Sequence, residues 1–154
     1  MTGIVVIGVG NAYRGDDAVG LAVAERLRGR LPAGVTVLDC EQEPTRLLDA
    51  WEGADVALVV DAAASGAPPG TVHRFDASGD GVPAHVFRSS THAFGVGDAV
   101  ELARALGRLP ERVVVYGIEG GDFTVGSGLS APVAAAVQRV VGELAEEVRC
   151  TNAR

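Results

Sequence analysis

The most apolar run in the chain reads Val56-Ala57-Leu58-Val59-Val60-Asp61 and ends in a carboxylate. An unbroken apolar run of this kind is typical of a parallel strand that is buried on both faces. Burying a carboxylate directly after such a strand costs free energy unless the group has a partner or a function. The carboxyl end of a central strand is also the usual place for chemistry in α/β folds. Asp61 is therefore a candidate functional residue. The alternative is a strand terminator that caps the loop 62–65.

Strand-like and helix-like segments alternate along the rest of the chain. The patterns predict strands at 3–9, 35–39, 55–61, 71–76 (a weak edge strand) and 112–118, and helices at 16–31, 44–51, 94–106 and 132–148. This order predicts an α/β fold, a single three-layer domain with a mostly parallel twisted sheet of about five strands and helices on both faces. We expect the domain to span residues 1–150, a frayed tail at 151–154, and a mobile loop at 76–91.

Composition favours one globular domain, because the 154 residues are 47% hydrophobic and 21% charged. The formal net charge of −7 disfavours nucleic acid and anionic membranes as partners, since both bind clustered Lys and Arg. The sequence has no apolar stretch of about 20 residues that would predict a transmembrane helix, and no basic flank of a signal peptide. We therefore expect a cytoplasmic monomer with no membrane contact.

The two cysteines, Cys40 and Cys150, lie in different segments and lack the paired spacing of a metal site. We expect both to be ordinary reduced thiols. The chain has neither a Gly-x-Ser-x-Gly elbow nor a His-Glu-x-x-His helix, so serine-hydrolase and zinc-peptidase signatures are excluded. A cysteine mechanism would need Cys40 to be activated by His92, which no local signature supports.

Two further polar segments are expected at the same sheet edge as Asp61. Gly8-Val9-Gly10-Asn11 follows an apolar run and leads to Asp16 and Asp17, and Ser90-Thr91-His92 precedes a helical stretch. Because strand ends of an open α/β sheet converge on one edge, we expect Asp17, Asp61 and His92 around one crevice. Two carboxylates and an imidazole make a hard-to-borderline set of metal ligands.

The Gly8-x-Gly10 turn also invites a nucleotide or phosphate site, but its neighbours argue against one. Tyr13 stands where the third glycine of the dinucleotide fingerprint belongs, and no Gly-Lys-Ser/Thr follows. Asp16 and Asp17 occupy the helix start at which a phosphate would bind, and they would repel it. Both aspartates also suit a cap of the first helical turn, so one can cap while the other faces the crevice.

The three histidines differ in their surroundings. His73 in the weak edge strand and His85 in the mobile loop are expected to be solvated. His92 stands at a loop-to-helix junction, where a metal ligand and a helix-start residue are equally compatible with the sequence.

Several short motifs follow one another in an order typical of one family. The chain carries residues 8–20 (Gly-Val-Gly-Asn through Asp16-Asp17-Ala18-Val19-Gly20), Val60-Asp61-Ala62, His92-x-x-Gly95, Val115-Tyr116-Gly117-Ile118-Glu119 and Gly128-Leu129-Ser130-x-Pro132. Over nearly the whole chain this series resembles the signatures of the hydrogenase maturation endopeptidases. The first motif is fairly specific, and the others count mainly through their order.

The resemblance implies a single α/β domain that cleaves a short C-terminal extension from the large-subunit precursor of a nickel–iron hydrogenase. It implies that cleavage follows nickel insertion, that the nickel is supplied by the precursor, and that the peptidase holds no permanent cofactor. Carried over by position, Asp17, Asp61 and His92 would be both the catalytic and the metal-contacting residues. The metal would either polarise the scissile carbonyl and activate water or only anchor the substrate.

The sequence departs from the family pattern at a few positions. Asp17 stands where glutamate is frequent, which keeps the carboxylate and shortens it by one methylene, and Ala18 and Ala93 replace a common glycine and glutamine. The segment Cys40-Glu41-Gln42-Glu43-Pro44 replaces a Gly- and Thr-rich turn near the crevice. This last change bears on the choice of hydrogenase more than on the reaction.

Other functions are compatible with the same crevice. One is a non-catalytic chaperone that binds the hydrogenase precursor and only checks its metal. Another is a small metal-dependent hydrolase on the same scaffold with its own bound metal. A nucleotide-binding module is a third, already weakened by Tyr13, Asp16 and Asp17.

Overall fold

A computed structural model describes residues 3–41, 46–79, 81–83, 86 and 95–152. The strands are β1 (Ile4–Gly10), β2 (Val35–Glu41), β3 (Val56–Ala63), β4 (Val72–Asp76) and β5 (Arg112–Glu119). The helices are α1 (Val19–Leu27), α2 (Leu47–Ala50), α3 (Val96–Ala105) and α4 (Ala131–Asn152), and a 3-10 turn at Gly15–Ala18 precedes α1.

The five strands form one sheet in the order β2-β1-β3-β5-β4. Neighbours are parallel except β4, which pairs antiparallel with β5 at the edge. This confirms the predicted mostly parallel sheet and the edge position of 71–76. The chain winds outward from β1 in both directions, to β2 on one side and β3 on the other. In open α/β sheets a crevice for ligands lies at such a reversal, beyond the carboxyl ends of the strands.

Two apolar layers cover the sheet, one on each face. All eight residues of β3 are buried, as the unbroken apolar run predicts. One face packs against α2 and α3, with Trp51 fully buried among them, and the other packs against α1 and α4. The predicted three-layer arrangement is therefore confirmed.

Glycine allows α1 to approach the sheet backbone directly. A Cβ on Gly20 would lie 2.3 Å from the carbonyl oxygen of Val9 and 2.4 Å from that of Val60, so no larger residue fits. Gly8 faces the same contact from β1, where a Cβ would lie 2.3 Å from the carbonyl oxygen of Gly20. This contact holds the turn that precedes α1, and therefore Asp17, over the ends of β1 and β3.

Some predicted boundaries were wrong. The helix expected at 16–31 begins as the 3-10 turn and α1 ends at Leu27, because Arg28 is extended (ψ 128°) and Gly29 adopts a φ of 78°. At the other end, α4 runs to Asn152, and buried Thr151 donates its hydroxyl to the Glu147 carbonyl at 2.8 Å, so helix replaces the start of the expected frayed tail. Half of the predicted loop 76–91 and the first two residues of the predicted helix 44–51 lie outside the described residues.

Across the described ranges, no helix is both long and apolar enough to cross a membrane.

Candidate functional site

Asp61 lies inside β3, because the strand continues through Ala62 and Ala63 beyond the predicted end at residue 61. The side chain is buried, and its Oδ1 accepts a hydrogen bond from the Ala62 amide at 2.8 Å. The strand-terminator alternative expects Asp61 to cap the loop 62–65. The hydrogen bond to the Asp61 side chain comes from the next residue, Ala62, and the Ser65 amide and hydroxyl donate to Glu119 instead.

Asp17 is buried in the 3-10 turn between β1 and α1. The turn closes on itself, since the Asn11 amide donates to the Asp17 carbonyl at 3.2 Å and the Asp17 amide donates to the Arg14 carbonyl at 3.0 Å. These bonds return the chain to the end of β1 and bring Asp17 beside Asp61.

The nearness of the two carboxyl groups is visible in the pKa of Asp61. Burial raises this pKa well above its ordinary value of 3.8, and the negative charge of Asp17 raises it further. The hydrogen bond from the Ala62 amide lowers it only in part. The Asp61 carboxyl group therefore favours its protonated form, and a nearby cation would stabilise its ionised form.

His92, the third predicted site residue, lies outside the described residues, as do His85 and the segment 42–45 of the departure from the family pattern. Its role as a ligand stays a prediction. The structure likewise places Asp17 and Asp61 without testing their roles. Cys40 ends up buried on β2, and neither Cys40 nor Cys150 forms a disulfide, which agrees with reduced thiols.

Asp16 has a function that the sequence did not reveal. The N-cap positions of the 3-10 turn and of α1 are Arg14 and Ala18, neither of which makes a side-chain cap hydrogen bond, and Asp16 does not provide the expected helix cap. Instead the buried Asp16 carboxylate accepts hydrogen bonds from the amides of Gly121, Asp122 and Ser130 at 2.7–2.9 Å. It also accepts one from the Ser130 hydroxyl at 2.8 Å.

The four hydrogen bonds to Asp16 also show in its pKa. Burial alone would raise this pKa, but the bonds from the amides and the Ser130 hydroxyl outweigh that effect and lower it below 3.8. Asp16 thus stays ionised and joins the turn after β1 to the segment 121–130 after β5. We call these four bonds the Asp16 latch.

Glu119 is a second buried carboxylate that sequence reasoning did not single out. It ends β5 at the same sheet edge and accepts hydrogen bonds from the Ser65 amide at 2.9 Å and the Ser65 hydroxyl at 2.5 Å. His73 Nε2 lies 3.1 Å from Glu119 Oε1, so the expectation of a solvated His73 was wrong. The signal was available, because Glu119 follows an apolar run just as Asp61 does.

Within the described ranges, no group of three or more His, Cys, Asp or Glu side chains could hold a metal ion. The described part of the crevice therefore brings together two carboxylate groups, those of Asp17 and Asp61. A third donor would have to come from elsewhere in the chain or from a ligand.

The sequence and fold match one family of known proteins. A model of the hydrogenase maturation protease family matches residues 21–147. The chain belongs to the hydrogenase maturation protease family. It is 31% identical to the hydrogenase expression/formation protein HupD of Rhodobacter capsulatus, over 95% of this chain and 71% of that protein. It is 28% identical to the hydrogenase 2 maturation protease of Escherichia coli K12, over 95% of this chain and 90% of that protein.

The fold comparison points to the same family. The structure of the hydrogenase maturating endopeptidase HybD from E. coli superposes with a TM-score of 0.82 at 27% identity, covering 96% of this chain and 93% of that one. Because the family and the E. coli relatives are named as proteases, the comparisons support a protease function over that of a non-catalytic chaperone or a nucleotide-binding module. The resemblance noted in the sequence is confirmed for the family.

Proposed function

We propose that this protease removes the C-terminal extension of the large-subunit precursor of a nickel–iron hydrogenase after nickel has entered that precursor. Family membership supports the hydrolytic reaction and the link to hydrogenase maturation. The observation that carries the metal dependence is the buried pair Asp17 and Asp61, in which burial and then the negative charge of Asp17 raise the pKa of Asp61. Nickel belongs to the substrate in this proposal.

Two carboxylates close together in a buried site cannot both ionise at low cost, because each disfavours the charge of the other. A divalent cation between them reverses this, since an opposite charge favours both ionised forms. The pair therefore gains more from a metal-loaded precursor than from an empty one, and this difference in binding free energy is a physical basis for a nickel check. Carboxylate oxygens with an imidazole from His92 would leave most of the coordination to the precursor.

Asp61 is suited to handle the proton of the hydrolysis. In the metal-free site the raised pKa of Asp61 favours its protonated form, whereas the cation of a loaded precursor would favour the ionised form, which can accept a proton from water. We propose that Asp61 takes a proton from the water that attacks the scissile carbonyl and returns it to the leaving amine. Asp17, at the end of the turn before α1, would orient the metal-bearing segment of the precursor.

The proposal is tested by incubating the protease with nickel-loaded and nickel-free precursor and measuring intact masses. Loss of a C-terminal peptide from the loaded form alone is expected. Loss from both forms would keep the peptidase and remove the nickel check. Absence of cleavage from either form, with a precursor of a hydrogenase from the same cell, would refute the proposed substrate.

Substitution of the proposed site residues gives a second test. Asp61→Asn and His92→Ala are each expected to reduce cleavage by at least about 100-fold, the usual scale for a general base or its equivalent. Asp49→Asn is a matched control, because Asp49 is an exposed acid on α2, whose ion pair is with Arg108. Circular dichroism should show all three variants folded, and a fully active Asp61→Asn variant would end the proposed mechanism.

A further inference from the structure

Large apolar side chains are exposed at four positions of the described chain. They are Tyr13 (71% exposed), Leu102 (39%), Leu106 (56%) and Val125 (69%). Leu102 lies on α3 and Leu106 directly after it. Tyr13 and Val125 follow β1 and β5, whose carboxyl ends meet at the sheet edge that carries Asp17 and Asp61. Single exposed apolar residues are ordinary, but two beside a candidate active site need an explanation.

Tyr13 and Val125 are neighbours through their backbones. The amide of Gly126, the residue after Val125, donates to the Tyr13 carbonyl at 2.9 Å. The Tyr13 amide in turn donates to Asn11 Oδ1 at 2.9 Å. Both backbone groups of Tyr13 are therefore held next to the backbone of residues 125–126, and the side chains of Tyr13 and Val125 are both largely exposed.

The support beneath the two side chains is locked as well. The Asp16 latch ties the turn before α1 to the segment 121–130, and the Asp16 amide donates to the Asp122 carbonyl at 2.8 Å. Gly15, at a φ of 53°, allows the same approach, since a Cβ there would lie 2.3 Å from the Asp122 carbonyl oxygen. Apolar side chains on a fixed support lose little conformational freedom when they bind, which favours a binding role.

We propose that Tyr13 and Val125 form a docking platform for an apolar side chain of the precursor, close to the scissile bond. The inference rests on the proposed function and names the contact that positions its substrate. The Cα atoms of Tyr13 and Asp17 lie within about 14 Å, because four residues span at most ~3.6 Å each. An extended substrate segment covers that distance in about four residues. The apolar side chain is therefore within about four residues of the precursor segment at Asp17, and within a few residues of the bond cleaved beside Asp61.

A second copy of this chain is a poorer occupant of the platform. An aromatic side chain contributes only about 150–250 Å² of contact area, whereas a stable protein interface buries roughly 800 Å² on each partner. The net charge of −7 on each copy would also oppose self-association. The small platform suits one side chain of a peptide that is already held at the crevice.

The platform is tested by measuring cleavage and binding of nickel-loaded precursor over a range of precursor concentrations. Tyr13→Ser with Val125→Ser is expected to raise KM and the dissociation constant about tenfold, as for loss of one well-packed interface anchor, with kcat little changed. Tyr13→Phe keeps the ring and should behave as wild type. Leu106→Ser is the matched control, because it removes an exposed apolar side chain far from the crevice.

Equal KM values for the double variant and Leu106→Ser would overturn the platform while leaving the proposed function intact. Absence of both binding and cleavage by the wild type would overturn the proposed function and the platform with it. A cross-link locates the contact: Tyr13→p-benzoylphenylalanine, irradiated with the precursor, should label residues within a few positions of the cleavage site. Labels only in distant parts of the precursor would contradict the inference.

Discussion

Replacement of Asp16 by asparagine tests the latch with little change in shape. Three donors converge on Oδ2, the amides of Gly121 and Asp122 and the Ser130 hydroxyl, and one, the Ser130 amide, meets Oδ1. The asparagine side chain has one acceptor oxygen in place of two. Its best orientation keeps the three bonds at the Oδ2 position and turns its NH2 group against the Ser130 amide.

The cost of Asp16→Asn follows from these four bonds. Losing one bond to a charged acceptor costs about 1.5–3 kcal/mol, and changing three others from charged to neutral costs up to about 1 kcal/mol each. Because such terms are not fully additive, we expect the free energy of unfolding to fall by about 3–5 kcal/mol. This is a large share of the roughly 5–15 kcal/mol that stabilises an ordinary domain.

Urea unfolding followed by circular dichroism measures the change, with the midpoint and slope fitted separately. Asp122→Asn is the control, because it removes the same charge from the other segment that the latch joins. Asp122 is exposed, and the Thr124 amide donates to its Oδ1, an acceptor that asparagine retains. Little change is expected for it. An Asp16→Asn variant that unfolds at the same urea midpoint as the wild type would refute the stabilising role of the latch.

The pH dependence provides an independent check of the latch. The pKa of Asp16 is lowered in the folded protein, so its contribution to stability is present above the unfolded value of about 3.8 and is lost as the pH falls through the folded pKa. The difference between wild type and Asp16→Asn should therefore be constant near neutral pH and shrink below about pH 3.8.

Further substitutions test the packing and the buried charges. Gly20→Ala should destabilise the fold by about 3 kcal/mol or more, because the added Cβ meets two strand carbonyls. Gly142→Ala, on the exposed side of α4, meets nothing within 4 Å and should stabilise the fold by about 0.5–1 kcal/mol, and thermal melts of the two variants measure this difference. Because the pKa of Asp61 is raised in the folded protein, the free energy of unfolding falls as the pH rises above 3.8. Asp61→Asn should therefore be more stable than wild type at pH 7, with a smaller difference near pH 4 in urea titrations. Glu119→Gln should cost about 2 kcal/mol through weaker bonds to Ser65, and an unchanged unfolding midpoint would contradict that assignment.

The layers of the fold could be predicted because they depend on local pattern. The unbroken apolar run of β3 requires burial on both faces, and this alone predicts helices on both sides of the sheet. The meeting of Asp17 with Asp61 follows in the same way, since parallel strands end at one edge. These expectations needed only the period and order of the segments.

The division of labour between Asp16 and Asp17 could not be predicted. Adjacent aspartates look equivalent in sequence, and only the arrival of Ser130, 114 positions along the chain from Asp16, makes one of them structural. The contact of His73 with Glu119 spans 46 positions and was missed for the same reason. Side-chain partners at such separations depend on the packed fold, which local patterns do not encode.

The Asp16 latch also bears on when during folding the protease becomes competent. Its bonds join residues more than 100 positions apart, and the sheet order places β3 between β1 and β5. Contacts of such long range form late and slow the folding of a domain, because the intervening chain must be ordered before they are gained. The platform and the turn that carries Asp17 would therefore reach their final geometry only after β5 has docked. A partly folded nascent chain would have neither the assembled acidic pair nor the surface that positions a substrate, so early intermediates would be poor at cleaving other polypeptides during biosynthesis.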